Sequence, residues 1–115
     1  MSINSRTKGK AWETEIIGIL QPMTDRRLFR NLEQVRGGGY DIVGAEPFAL
    51  EIKRAKKLNL VKWWEQAVKQ AGAKLIPVLL YRQDRMKWRA MRMKEGSLVD
   101  TPIEDFLVDF KKVLG

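Results

Sequence analysis

The sequence predicts an α/β or α+β domain: a mixed central β-sheet with helices packed on its faces. Two observations carry that expectation. Apolar residues recur at helical spacing in three segments, 8–20, 58–71 and 102–114, and short apolar runs bounded by turn residues lie between them. The resulting order (helix, strands, helix, strands, helix) closes most simply as one sheet that buries the apolar face of each helix. A chain of 115 residues suits one domain spanning 1–115, large enough to bury a core without staples.

Each element has its own local reason. Residues 8–20, "KGKAWETEIIGIL", carry Trp12, Ile16, Ile19 and Leu20 on one stripe, with Thr7 as a candidate N-cap and Pro22 as a stop. Residues 28–36 read as a strand ending near Arg36, and the glycines at 37–39 then break the chain and allow close backbone approach. "YDIVG" (40–44) and "PFALEIKR" (47–54) read as two strands of a hairpin turning at Ala45-Glu46-Pro47. In the helix over 58–71, Val61, Trp64, Ala67, Val68 and Ala71 share a spacing, and Gly72 follows near its end. Trp63 and Trp64 are expected to divide, one to the core and one to an interface or a stacking surface. "KLIPVLLYR" is a continuous apolar strand suited to a sheet centre, and "KWRAMRMK" an alternating, more exposed one. Thr101, Pro102 and Glu104 supply a cap, a first-turn proline and a capping-box partner for a last helix. Its stripe is Ile103, Phe106, Leu107, Phe110, Val113 and Leu114, and the acids early and Lys111 and Lys112 late suit the helix dipole.

Composition narrows the function. With no Cys and no His, disulfides, thiolate or imidazole metal sites and His-dependent triads are excluded, so any metal here has oxygen ligands. No apolar run is long enough to cross a bilayer, and the first residues lack a signal-peptide core, so a cytoplasmic setting without membrane contact is expected. The formal charge is +8, and its distribution is uneven: residues 1–94 hold 20 of the 22 Lys and Arg but 9 of the 14 acids. A basic body of that kind suits a polyanion, because phosphate neutralisation releases counterions.

Against that charge, Asp41 and Glu51 are isolated acids in apolar runs, with Lys53 two positions on. Strand alternation puts Glu51 and Lys53 on one face and Ile52 on the other. Pairing of the two strands would bring Asp41 beside them. Two close carboxylates repel unless a cation compensates, and Mg²⁺ is the natural hard one. Such an ion activates water and stabilises a scissile phosphate, with Lys53 to orient the water or stabilise the phosphorane. The plain alternative is a polar, solvated strand face.

"YDIVG…FALEIKR" resembles the metal-binding core of the PD-(D/E)xK nuclease superfamily, written here Asp41-x9-Glu51-x-Lys53. "TKGKAWETEIIGIL" is similar to the opening helix of archaeal-type Holliday junction resolvases, where a Lys-Gly pair precedes a catalytic Glu, and "QVRGGGYD" and "IPVLLYR" follow in matching order. The resemblance covers about residues 6–93 and implies a restriction-endonuclease-like sheet. Tyr40 replaces the motif's usual proline, and residues from 94 onward, with the C-terminal helix at about 102–114, have no counterpart. Residue by residue it implies Glu13, Asp41, Glu51 and Lys53 as catalytic. Asp41, Glu51 and the Ile52 carbonyl would be metal ligands, with Glu13 a further candidate. Glu13 equally fits an exposed helix glutamate paired with Lys10. Lys8 and Arg36 match positions that hold the DNA backbone, and Lys10, Arg54, Lys56 and Lys57 extend that basic surface. Gln66 resembles a glutamine that supports the site in exonuclease-type relatives. The implied cofactor is Mg²⁺, with Mn²⁺ as a substitute.

The leading expectation is therefore a Mg²⁺-dependent DNA endonuclease, selective for branched or junction DNA, acting as a homodimer in a phage or prokaryotic setting and serving DNA recombination. Two alternatives stand beside it. One is a nickase, flap or restriction-type cutter built on the same core, and the other is a non-catalytic basic module that binds nucleic acid.

Overall fold

The protein is described from a computed structural model that covers residues 5–32 and 39–115, the first six of them by backbone alone. Helix α1 (Ser5–Leu20) passes through Pro22 into a 3-10 turn (Gln21–Met23). Short strands β1 (Phe29–Arg30) and β2 (Ile42–Val43) pair antiparallel. A four-stranded sheet follows, ordered β3 (Phe48–Ala55), β4 (Ile76–Gln83), β5 (Arg89–Lys94) and β6 (Ser97–Pro102). Helix α2 (Leu60–Ala71) crosses between β3 and β4, which are parallel, and α3 (Ile103–Leu114) ends the fold. The remaining ladders are antiparallel, so the sheet is mixed, as expected.

Strand alternation divides the interior in two. Phe48, Leu50, Ile52, Val78, Leu80 and Ala90 face α1 and α3, and Ile16, Leu20, Phe106 and Phe110 close that core. Phe48 meets the Phe106 ring edge-on at a 5.2 Å centroid distance, a favoured aromatic geometry. The opposite face presents Leu79, Tyr81 and Met91 to Ala67 of α2. Arg92 is buried on the core face, where Asp109 of α3 pairs with it at 3.1 Å and Thr101 accepts a hydrogen bond at 2.9 Å. At the far end, the Thr24 hydroxyl donates to the Leu114 carbonyl at 2.6 Å, fastening the end of α3 beside the turn after α1.

Several local expectations change. Helix α1 starts at Ser5, so Thr7 lies inside it rather than at its cap. The strand expected over 28–36 is two residues long where it is described, and residues 33–38, including Arg36, lie outside the described residues. Segments 40–44 and 47–54 do not form a hairpin, because β2 takes β1 as its partner and β3 takes β4. Val61 and Val68 are exposed, and both Trp63 and Trp64 pack half-buried around the second apolar cluster, since the sheet side of α2 is set by Ala67 and Ala71. Val113 of α3 is likewise exposed. β5 is more buried than its charge suggested, and β6 was not anticipated. Its signal is Glu95-Gly96, both at positive φ (52° and 82°), a two-residue hairpin turn. Thr101 thus belongs to a strand and caps nothing. Pro102 occupies the N-cap of α3 without a side-chain bond.

Among the described residues no helix is long and apolar enough to cross a membrane.

Two glycines have opposite requirements. Gly44, at φ 101°, would place a Cβ 2.3 Å from the Arg27 carbonyl oxygen, whereas Gly18 is an exposed interior position of α1 with open space around it. Gly44→Ala is expected to destabilise the fold by about 2 kcal/mol or more. Gly18→Ala is expected to stabilise it by about 0.5–1 kcal/mol. Chemical denaturation of the two variants checks both signs.

Candidate active site

The site forms where β2 meets the edge of β3 that β4 does not cover. The Asp41 amide donates to the Leu50 carbonyl at 2.8 Å, and Asp41 Oδ2 accepts the Ile52 amide at 2.6 Å. The Asp41 carbonyl accepts the Asn31 amide at 2.9 Å, so its backbone is held from the β1 side as well. Within a strand, the N–H and C=O of one residue point to the same edge. The Ile52 carbonyl therefore faces the Asp41 side.

Glu51, one residue earlier, points to the α2 face together with Lys53, whose Nζ lies 3.8 Å from Glu51 Oε1. Across the parallel ladder they stand beside Leu79 and Tyr81. Asp41 and Glu51 are 5% and 3% exposed, an unusual burial for carboxylates. Gln66 of α2 donates a long hydrogen bond to Glu51 Oε1 at 3.4 Å. Glu51 Oε2 is buried without a hydrogen-bond partner among the described residues.

Glu13 approaches from α1. It is buried, and Arg30 Nε of β1 donates to its Oε1 at 2.7 Å. Burial raises its pKa, Arg30 opposes that rise, and the Asp41 charge adds to it. Glu13, Arg30 and Asp41, far apart in sequence, thus share one electrostatic neighbourhood. Burial above all, and then the Asp41 charge, raise the Glu51 carboxyl against the pull of the Lys53 ammonium; with smaller contributions from Glu13 and a hydrogen bond with Asp41 it is pushed up to about 8.

The anticipated residues therefore divide. Glu13, Asp41, Glu51, Lys53 and Gln66 converge, and Arg54 is engaged by Asp84 at 3.4 Å. Lys56 and Lys57 are exposed just beyond β3. The side chains of Lys8 and Lys10, and the whole of Arg36, lie outside the described residues. Glu15, two positions from Glu13, accepts from the Trp88 indole and from Arg82, and belongs to the framework. Sequence reasoning missed Arg30, whose two-residue strand gives no periodic signal. Gln70, one helical turn after Gln66, accepts the Gly39 amide through its side-chain oxygen, two residues before Asp41.

Among the described residues no three acidic side chains are grouped closely enough to hold a metal ion. What converges is a carboxylate pair with an unsatisfied Glu51 oxygen and a carbonyl on the same strand edge. That donor set is all hard oxygen and fits a small divalent cation, which would offset the cost of burying two acids.

Without metal, Glu51 makes stability depend on pH. Its folded pKa lies above its ordinary value of 4.5, so between about 4.5 and about 8 the native state holds a proton that the unfolded chain has lost. Stability contributed by this group accordingly falls as pH rises through that window. Thermal melts in EDTA are expected to show Glu51→Gln gaining on the wild type from pH 5 to pH 8.5. A constant difference would contradict the assignment.

The architecture is similar to that of a solved relative, the 1.6 Å structure of Archaeoglobus fulgidus Hjc, a Holliday junction resolvase from an archaeal hyperthermophile. The TM-score is 0.59 at 20% identity, covering 87% of this chain and 98% of that one, and the likeness is one of fold. No curated protein matches the sequence. Residues 4–111 match the family model described as phage putative PDDEXK endonuclease, nearly the full length of the chain. With Asp41 at the uncovered edge of β3 and Glu51 and Lys53 on that strand's α2 face, this chain belongs to that PDDEXK endonuclease family.

Proposed function

We propose that the protein is a divalent-metal-dependent DNA endonuclease selective for branched DNA, with Mg²⁺ as its ion and Mn²⁺ as a substitute. The observation that carries this reading is the buried Asp41–Glu51 pair with its unsatisfied Glu51 oxygen beside Lys53, in a chain of net charge +8. Asp41, Glu51 and the Ile52 carbonyl would hold the ion. When bound, it would neutralise charge on the scissile phosphodiester and favour deprotonation of the attacking water.

The remaining roles belong to the chain itself. Lys53, half-buried and with its ammonium on the site face, orients the water and stabilises charge on the phosphorane. Gln66 holds the Glu51 carboxylate in place, and the Glu13–Arg30 pair fixes the wall between α1 and β1. In-line attack breaks the P–O3′ bond and leaves a 5′-phosphate and a 3′-hydroxyl. Selectivity for four-way junctions is supported by the fold shared with Hjc and calls for a homodimer, because such a junction presents two equivalent strands. The family's phage description supports a phage or prokaryotic, cytoplasmic setting.

The test is cleavage of a four-way junction, a flap, single strands and linear duplex. The wild type is expected to cut the junction with Mg²⁺ or Mn²⁺ and to stop in EDTA. Asp41→Asn, Glu51→Gln and Lys53→Ala are each expected to slow cutting by about 100-fold or more while still binding DNA. The reading fails if the wild type cuts none of these substrates, or if Asp41→Asn cuts as fast. Light scattering is expected to show a dimer, and a strict monomer would rule out symmetric resolution of the junction.

A further inference from the structure

The basic residues of the last strands look like one cluster in the sequence, but the structure divides them. Arg82 pairs with Glu15 at 3.3 Å, Arg89 with Asp100 at 2.9 Å, and Arg92 and Lys94 with Asp109 at 3.1 and 3.2 Å. Arg85 and Lys87 have no ion pair among the described residues. Both are exposed on the turn between β4 and β5 and flank Met86, which is 59% exposed. The turn thus displays cation, apolar side chain, cation.

That tip is held stiffly. The Asp84 amide donates to the Ala55 carbonyl at 3.1 Å, and Gln83 Nε2 donates to the Lys56 carbonyl at 3.2 Å, tying the turn to the end of β3. Inside the turn, the Met86 amide donates to the Gln83 carbonyl at 2.9 Å and Arg82 Nε to the Met86 carbonyl at 2.7 Å. Arg85 has φ 70°, a conformation in which Gly or Asn costs less, yet the chain places a long cation there. The tip also lies near the site. Lys53 is level with Tyr81 across the ladder, three residues before Asp84, so the turn begins on the order of 10 Å along the strand.

We propose that the β4–β5 tip is a second DNA contact, distinct from the carboxylate site. Arg85 and Lys87 clasp backbone phosphates, and Met86 packs against an opened base step between them. Phosphate contacts position a protein on its strand, and apolar side chains flanked by cations occupy unstacked steps. A rigid turn is preorganised for this, because little ordering is left for binding. The inference rests on the reading of the protein as a DNA enzyme.

Binding is measured in EDTA by fluorescence anisotropy, using a synthetic four-way junction with 2-aminopurine at the branch and a linear duplex. Arg85→Ala/Lys87→Ala is expected to weaken binding about tenfold or more, and to lower the slope of log K against log salt by up to about 1.8. Arg85→Lys/Lys87→Arg should largely restore it. Lys111→Ala/Lys112→Ala, which removes the same charge from the exposed end of α3, should bind within about twofold of wild type. The 2-aminopurine signal should rise on binding wild type and stay flat with Met86→Ala. Unchanged binding by the tip double variant, or an equal loss in the α3 control, overturns the proposal, and a full signal with Met86→Ala overturns the Met86 contact. If these outcomes hold but no DNA is cut, the nuclease reading fails and the tip contact stands. If the chain cuts DNA and the tip double variant binds and cuts like wild type, only the tip contact fails.

Discussion

Asp41 grips the uncovered edge of β3 twice, through its backbone at Leu50 and through its carboxylate at Ile52, and the arrangement of the N-terminal third depends on that grip. β2 has no ladder with the main sheet, so these two bonds and the packing of Ile42 fix its position against β3. β1 is carried along through β2, and Arg30 of β1 in turn reaches Glu13 of α1. One aspartate thus sets the distance between a helix, a two-stranded ribbon and the central sheet. It also occupies a sheet edge that would otherwise present bare backbone groups to other chains.

The same geometry keeps chemistry and stability on separate faces. The sheet surface facing α1 and α3 is apolar at its centre, where Asp109 and Thr101 satisfy the buried Arg92, and at its margins Glu15 of α1 holds Arg82 and Asp109 of α3 holds Lys94. The surface facing α2 carries Glu51 and Lys53 next to Leu79 and Tyr81. Alternation along β3 therefore lets one strand serve a packed core and a polar site at once. Tyr81 shows how the second face resolves its polar groups: its hydroxyl is bonded to Asp100, which Arg89 also holds. Burial and that acid push the phenol up to about 12, so it stays a neutral donor at physiological pH.

Much of this was legible in the sequence, for reasons that can be named. Asp41, Glu51 and Lys53 stood out because carboxylates are expensive in apolar strands, and period-two alternation fixed which of them share a face. β4 was legible as a continuous apolar run, and α3 within a residue because its stripe is unbroken. Pairing was not. Residues 40–54 look like a hairpin locally, yet the partner of β3 is β4, reached through α2, and no local signal encodes that choice. β6 was hidden because Thr101, Pro102 and Glu104 imitate a helix start, although Arg92 draws the threonine into the sheet. Arg30 acts through a contact made only in the folded chain, so nothing in its neighbours marks it.

The parallel pairing of β3 with β4 has a consequence for how the site comes into being. Glu13, Asp41, Glu51 and Lys53 all fall within the first 53 residues, but β3 finds its ladder only in residues 76–83, and Gln66 arrives on the connecting helix. A fragment ending with β3 would own every charged group of the centre but neither the ladder that holds β3 nor Gln66. Loop closure across the crossover must come first, so the centre is a product of non-local folding. The centre is therefore complete only in a chain that includes both α2 and β4.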